Sequence, residues 1–283
     1  MEELIDDKLI DKVNQFFQIS KSLEISQPQN GYRFSIDPFF LVSDLIIQKS
    51  EQILDIGTGC GIMPLLLALK YPEIELTAVE IQSELAKIAR ENIEINGFGN
   101  RIRLINHDIK DIKFRDIKSS YLKQPLSSDQ TLHIDFKFDR VISNPPYKKR
   151  GSGRLNPNIQ KAIARHEISL TLDELICCAS QSLKLGGIFN LIYPAIRIKE
   201  LLFTMKIHSI KPINVKFINT SYAKSANPKL VLTTGIKMAD ITGSDIKFQD
   251  YQLTREALKM LDIETYKVYL PANVNFAERW PSG

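Results

Sequence analysis

The run RVISNPPYKKRG, residues 140–151, carries an apolar strand pattern straight into two prolines, an aromatic ring and three basic side chains. Asn144 offers a side-chain carbonyl and Pro145 a main-chain carbonyl, and neither proline brings an N–H that would occupy an acceptor. A residue before proline is held extended and proline fixes its own φ, so this corner is rigid as well as rich in lone pairs. Tyr147 adds a flat face beside it. Such a corner suits a planar group that presents two N–H donors.

A second stretch with chemical content is ILDIGTGCGI, where Asp55 ends an apolar run and Gly57, Gly59 and Gly61 follow at alternate positions before a helical pattern. Glycines there allow a tight turn and close approach of a ligand, at the carboxyl end of a strand where open α/β sheets bind ligands. Nineteen residues after Gly61 the next apolar run ends at Glu80, a place from which a carboxylate can accept both hydroxyls of a ribose. A dinucleotide fingerprint wants glycine at the sixth position, which is Ile62, so NAD is disfavoured. No GK[ST] follows to cradle a triphosphate. The third run, IRLINHDI, sets Asp108 at a strand end, where a carboxylate can take an exocyclic amine.

These residues need a scaffold. Strand patterns read at 52–56, 75–80, 102–106, 138–143, 187–193, 215–221 and 230–238. Between them, 83–96 opens with Ser83 as N-cap, sets Leu85, Ile88, Ala89 and Ile93 on one stripe and stops at Gly97. Likewise 172–185 carries Leu172, Leu175, Ile176, Ala179 and Leu183 on one stripe, closed by Gly186-Gly187. Strand and helix in alternation imply a parallel sheet covered on both faces, a doubly wound α/β layer. Only AKSANPKL separates the last two strands, too short for a crossover, so they form an antiparallel hairpin at one edge. Residues 111–135 read as a polar surface excursion, and 241–283 as a short helical pattern, TREALKMLD, followed by an extended tail.

The whole chain of 283 residues is 43% hydrophobic and 25% charged with net charge +4, an ordinary globular balance. No apolar run approaches the ~20 residues of a membrane span, and the acidic start MEELIDDKLIDK is unlike a signal peptide. The expectation is a soluble, cytoplasmic protein. Three cysteines, Cys60, Cys177 and Cys178, form no CxxC, so neither a disulfide framework nor a metal site is expected. Cys60 reads as a small residue in the turn, and Cys177 and Cys178 as core.

Taken together, LDIGTGCG, AVEI, HDI and ISNPPY resemble the motifs of class I methyltransferases that use S-adenosylmethionine and methylate exocyclic amines. The resemblance implies a Rossmann-like α/β fold with a seven-stranded, mostly parallel sheet, one antiparallel strand and helices on both faces. It implies that Asp55, Gly57, Gly59 and Gly61 face the methionine part of the cofactor. Glu80 with Ile81 would face the ribose, and Asp108 with Ile109 the adenine. The amine of a purine is a poor nucleophile because its lone pair is delocalised. Acceptors at Asn144 and Pro145 would draw that pair back onto nitrogen, with Tyr147 stacking on the base for roughly 1–3 kcal/mol.

The family's acceptors include adenine in nucleic acid, guanine in ribosomal RNA and a glutamine of release factors. Between 148 and 166 stand Lys148, Lys149, Arg150, Arg154, Lys161 and Arg165 without an acid, with His166 at the end, a basic lip suited to a phosphate backbone. The stretches 31–45, 164–187 and 212–235 resemble the bacterial N6-adenine methyltransferases acting on valine tRNA beside the anticodon, which implies RNA, and tRNA in particular, as partner. Glutamine methylation of a release factor and a catalytically silent RNA-binding factor are the competing readings. A nucleotide-dependent oxidoreductase finds no hydride-site residues. The organisation expected is an N-terminal segment 1–50 packed on the core, a methyltransferase domain over 51–240 and a tail over 241–283. Tyr32, Phe34, Phe39 and Phe40 either pack on the sheet edge or belong to a lid in which Arg33, Phe34 and Asp37 close over the cofactor. No metal and no membrane are expected as partners.

Overall fold

Successive apolar residues of one strand face two different cores. Ile53 packs with Leu65, Leu66 and Phe40 on one side, and Leu54 and Ile56 with Leu175, Ile176 and Leu201 on the other. The same split recurs at Ala78 and Val79, Ile142 and Val141, and Ile192 and Leu191. Strands buried on both faces require helices on both faces. This architecture comes from a computed structural model that describes Ser20, residues 22–28, 34–115, 132–145, 170–219 and 229–239, and the backbone of 265–267.

The strands are β1 (Gln52–Ile56), β2 (Glu75–Glu80), β3 (Ile102–Asn106), β4 (Ile112–Phe114), β5 (Leu132–Ile134), β6 (Phe138–Ser143), β7 (Leu183–Pro194), β8 (Ile210–Asn219), β9 (Leu230–Lys237) and β10 (Thr265–Lys267). The helices are α1 (Asp37–Asp44), α2 (Ile62–Lys70), α3 (Ser83–Ile95), α4 (Leu172–Ser182) and α5 (Ile198–Ile207). The main sheet runs β10-β8-β9-β7-β6-β1-β2-β3. Every neighbouring pair is parallel except those of β9, which is antiparallel to both β7 and β8. The seven expected strands, with one reversed, are therefore present, and residues 265–267 add an eighth at the edge beside β8.

Several boundaries differ from the sequence reading. Ser83 is the first helical residue of α3, and the N-cap is Gln82, held extended while its N–H donates to Glu80. The expected stop at Gly97 is present: Gly97 has φ +74 and the Phe98 N–H returns to the Ile93 carbonyl. Helix α4 ends at Ser182 rather than 185, because Leu183 pairs with Phe138 at the start of β7. Gly186 and Gly187 therefore lie in an irregular stretch of β7, where a Cβ on Gly187 would meet the Lys184 carbonyl at 2.9 Å. Both described ends of the 111–135 connection pair with each other as the parallel strands β4 and β5, which a reading as plain surface excursion missed. Thr220 and Ser221 of the sixth expected strand and the TREALKMLD pattern lie outside the described residues.

The N-terminal aromatic residues pack. Phe34, Phe39 and Phe40 are buried with Ile192, Ile218, Leu230 and Leu232 of β7, β8 and β9, and Lys216 pairs with Asp44 at the end of α1. Tyr32 and Arg33 lie outside the described residues. No helix among the described residues is long and apolar enough to cross a membrane.

At the amino ends of the strands, the buried Arg140 guanidinium grips Glu51 through Nε at 2.8 Å and Nη2 at 3.1 Å, and donates to Asn190 Oδ1 at 2.7 Å and the Ile46 carbonyl at 2.8 Å. Asn190 passes the chain on to Thr234 of β9 at 2.9 Å. Removing one partner of a buried pair leaves the other charge without solvent, which costs about 3–5 kcal/mol. Arg140→Leu should lower unfolding stability by that order in denaturant titrations. Lys49→Ala, which breaks an exposed pair with Glu73, should change it by less than about 1 kcal/mol.

Candidate active site

Strands β1 and β6 are parallel neighbours with Ile56 opposite Ser143, and the Ser143 hydroxyl donates to the Ile56 carbonyl at 2.8 Å. The residues that follow, Gly57 and Asn144, therefore leave the sheet side by side. Asn144 is half-buried and Pro145 buried. The glycine turn and the first half of the Asn-Pro-Pro-Tyr corner thus share one edge of the sheet. Tyr147 and the basic and histidine residues Lys148, Lys149, Arg150, Arg154, Lys161, Arg165 and His166 lie outside the described residues.

The turn is held by its neighbour strand. The Gly57 and Thr58 N–H groups both donate to the Val79 carbonyl, at 2.9 and 3.1 Å. Gly57 has φ +76, and a Cβ there would meet nothing within 4 Å, so open space lies above the turn. Gly61 has φ +86 and already approaches α3 closely, its Cβ position 3.4 Å from Ala89 Cβ.

Glu80 is 4% exposed and faces inward. Its Oε2 accepts the Gly59 N–H at 2.9 Å and its Oε1 the Gln82 N–H at 2.8 Å. Burial raises its pKa above the usual carboxylate range, and the backbone donors of Gln82, Gly59 and Ile81 oppose that rise. The carboxylate thus shapes the turn, a task its sequence position did not announce. Each oxygen keeps a further lone pair for a ligand hydroxyl. Ile81 next to it is 40% exposed.

Asp55 is fully buried on the edge of β1, and neither carboxylate oxygen has a partner. Burial pushes its pKa from 3.8 to about 7; the Thr58 side chain draws it down and the negative charge of Glu80 adds to the rise. The Thr58 hydroxyl falls short of hydrogen-bonding geometry and is itself unpaired. Among the described residues six buried side-chain polar atoms lack a partner, and four of them, both Asp55 oxygens, Thr58 Oγ1 and Gln82 Oε1, belong to this turn and the end of β2. Buried polar groups are nearly always satisfied, so a cluster of exceptions marks a place completed from outside the chain by a ligand or ordered water.

Asp108 caps the short helical turn Ile109–Asp111, accepting the Lys110 N–H at 3.0 Å, and its other oxygen lies 3.5 Å from Lys110 Nζ. That ammonium also reaches Glu174 at the start of α4. Ile109 is buried in the core beneath. The carboxylate expected to face an amine is thus already shared with a lysine that the motif reading passed over. Phe34 is buried in the same apolar cluster as Cys60, Ile62 and Met63 of the turn, and its N–H donates to Gln27 at 3.1 Å. Cys60 is buried with its thiol pushed up to about 12 by burial, so it is chemically inert. Cys178 is core, whereas Cys177 is half-buried and accepts from Gln181. Among the described residues no group of three or more His, Cys, Asp or Glu could hold a metal ion.

Sequence reasoning missed Asn92. It lies in α3, 1% exposed, and donates to the Cys60 carbonyl of the turn at 2.9 Å. A signal was present: Asn92 and Asn96 continue the spacing of Leu85 and Ala89 down the buried stripe, where a polar residue must find partners.

Residues 53–122 match the methyltransferase domain family. The chain is 36% identical over 151 residues to a tRNA1(Val) (adenine(37)-N6)-methyltransferase of Porphyromonas gingivalis, covering 53% of this chain and 52% of that protein. Proteins of the same name from Bacteroides thetaiotaomicron and Shewanella putrefaciens are each 28% identical, over 71% and 76% of this chain and 77% and 82% of theirs. The matched part therefore spans about half the length of the first of these relatives. A crystal structure of a methyltransferase from Pyrococcus furiosus superposes with TM-score 0.51 at 20% identity, over 81% of this chain and 98% of that one. The fold is that of the Rossmann-like methyltransferases.

The raised pKa of Asp55 sets a pH dependence for the ligand-free protein. A carboxyl whose folded pKa lies near 7 against 3.8 ordinarily contributes stability that is fully present below 3.8 and lost as the pH rises through about 7. In thermal melts at a series of pH values, Asp55→Asn should gain on the parent as the pH is raised across that window. A difference between the two that does not change with pH would show that Asp55 does not titrate there.

Proposed function

We propose that the chain transfers a methyl group from S-adenosylmethionine to the N6 amine of an adenine in tRNA, beside the anticodon. The observation that carries this reading is the cluster of four unpaired buried oxygens, three acceptors and one hydroxyl, at the end of β2 and at the glycine turn, whose strand is next to that of Asn144 and Pro145. S-adenosylmethionine supplies an activated methyl group on a cationic sulfonium. Ionised Asp55 and Glu80 favour a cation at the turn. Glu80 with Ile81 takes the ribose, Asp108 and Ile109 the cofactor's adenine, and Phe34 closes the apolar side.

The protein's part in the chemistry is positioning. Asn144 Oδ1 and the Pro145 carbonyl accept the two N–H bonds of the target amine and so return its lone pair to nitrogen. Neither proline brings an N–H of its own to compete for those acceptors. Holding the attacking nitrogen in line is worth on the order of 7–11 kcal/mol, and aimed acceptors add a few more. Tyr147 stacks on the base. Lys148, Lys149, Arg150, Arg154, Arg165 and His166 hold the phosphates of a loop whose base is already unstacked. The name shared by three curated relatives supports adenine 37 of tRNA1(Val) as the acceptor. In this reading residues 51–240 are the transferase domain and residues 1–50 an N-terminal segment whose described Phe34, Phe39 and Phe40 pack on its core.

Two measurements test this. Incubation with tritiated S-adenosylmethionine and tRNA from a strain lacking the gene should yield labelled N6-methyladenosine. Label found only in protein would overturn the RNA assignment in favour of glutamine methylation, and failure to bind S-adenosylmethionine would leave a catalytically silent factor. Asn144→Ala should bind the cofactor within about threefold of the parent while turnover falls by roughly 10² or more. Cofactor affinity should rise as pH passes upward through about 7, where Asp55 ionises, and Asp55→Asn should abolish that rise.

A further inference from the structure

Among the described residues no strand pairs with residues 24–26, yet their backbone is paired. Asn92 Oδ1 accepts the Ser26 N–H at 2.8 Å and Asn92 Nδ2 donates to the Ser26 carbonyl at 3.0 Å. One helical turn later Asn96 repeats the pattern, accepting the Glu24 N–H at 3.0 Å and donating to the Glu24 carbonyl at 2.8 Å. In an extended chain, alternate residues turn their N–H and C=O toward the same edge, and two carboxamides four residues apart, Asn92 on α3 and Asn96 at its C-cap, serve that edge as a strand would.

The two asparagines then differ. Asn96 spends its remaining donor on the Asn92 carbonyl within the helix, at 2.7 Å. Asn92 spends its own on the Cys60 carbonyl of the glycine turn, at 2.9 Å. Cys60 stands between Gly59, whose N–H is held by Glu80, and Gly61, which packs against Ala89 one turn earlier on α3. Asn92 is 1% exposed and all its polar atoms are engaged, so neither bond can be exchanged for water without opening the site.

We propose that Asn92 is a positioning residue for the cofactor turn, and that through it the N-terminal strap 22–28 and cofactor binding are coupled. The proposal rests on the reading of that turn as the cofactor site. One carboxamide holds both elements, so a turn drawn into its ligand-bound shape steadies the strap, and a docked strap steadies the turn. The coupling is reciprocal by thermodynamic necessity.

The test uses the full chain with S-adenosylhomocysteine as probe, by calorimetry and by amide hydrogen exchange. In the parent, saturating probe should slow exchange of the Ser26 and Glu24 amides; unchanged exchange overturns the coupling without any variant. Asn96→Ala should lose protection at Glu24 yet bind the probe within about twofold of the parent. Asn92→Ala should lose protection at Ser26 and bind roughly tenfold more weakly. Asn92→Asp, which keeps an acceptor for Ser26 but has no donor for Cys60, should bind as weakly as Asn92→Ala while retaining part of the Ser26 protection. Equal binding by the parent and both Asn92 variants, or equal weakening in Asn96→Ala and Asn92→Ala, would reduce Asn92 to a staple for the strap. A folded parent that does not bind the probe would instead refute the reading of the turn itself.

Discussion

The site depends on the register of two parallel strands. With Ile56 opposite Ser143, and the Ser143 hydroxyl tied to the Ile56 carbonyl, β1 and β6 end at the same level. Parallel neighbours release their carboxyl ends on one side of the sheet, so the glycine turn and the proline corner emerge together although 87 residues separate the paired positions. A shift of one residue would exchange the two faces of β6, burying what now faces one core in the other. Such a slip is opposed at the opposite end of the strands, where Arg140 grips Glu51 and Asn190 and so links β6 to the start of β1 and to β7.

Around that register the charges are placed with a common sense. Asp55, Glu80 and Asp108 stand at the ends of β1, β2 and next to β3, so the side proposed for the cationic donor is acidic. The segment 148–166, which we propose for the phosphates, is basic in sequence. Burial makes the acidic side consequential: Asp55 is held near neutrality by loss of solvent, and its ionisation is cheap only when a cation is near. Glu80 is stabilised differently, by the turn's own N–H groups, and so acts first on the protein and second on any ligand.

The strand patterns and the two motifs were legible because each is local: alternation of apolar residues, glycines before a helix, prolines after a strand. Contacts between distant segments were not. Leu183 satisfies the helical stripe of α4 and yet belongs to β7, since pairing with Phe138 competes with one further helical residue. Ser83 has the chemistry of an N-cap, but Glu80 holds the Gln82 N–H and moves the helix start by one residue. Lys110, which no motif singled out, bridges Asp108 to Glu174.

By itself the sequence determined the layer architecture, the glycine turn and the donor-free corner, because periodicity and backbone restriction are properties of neighbouring residues. Only the tertiary structure decided that Glu80 faces inward to clamp the turn, that Asp55 is left without a partner, and that Asn92 joins the turn to a strap 66 residues away. Each of these depends on which polar atoms meet after the strands have paired and lost their water. A hydrogen bond between remote segments leaves no period in the chain that makes it.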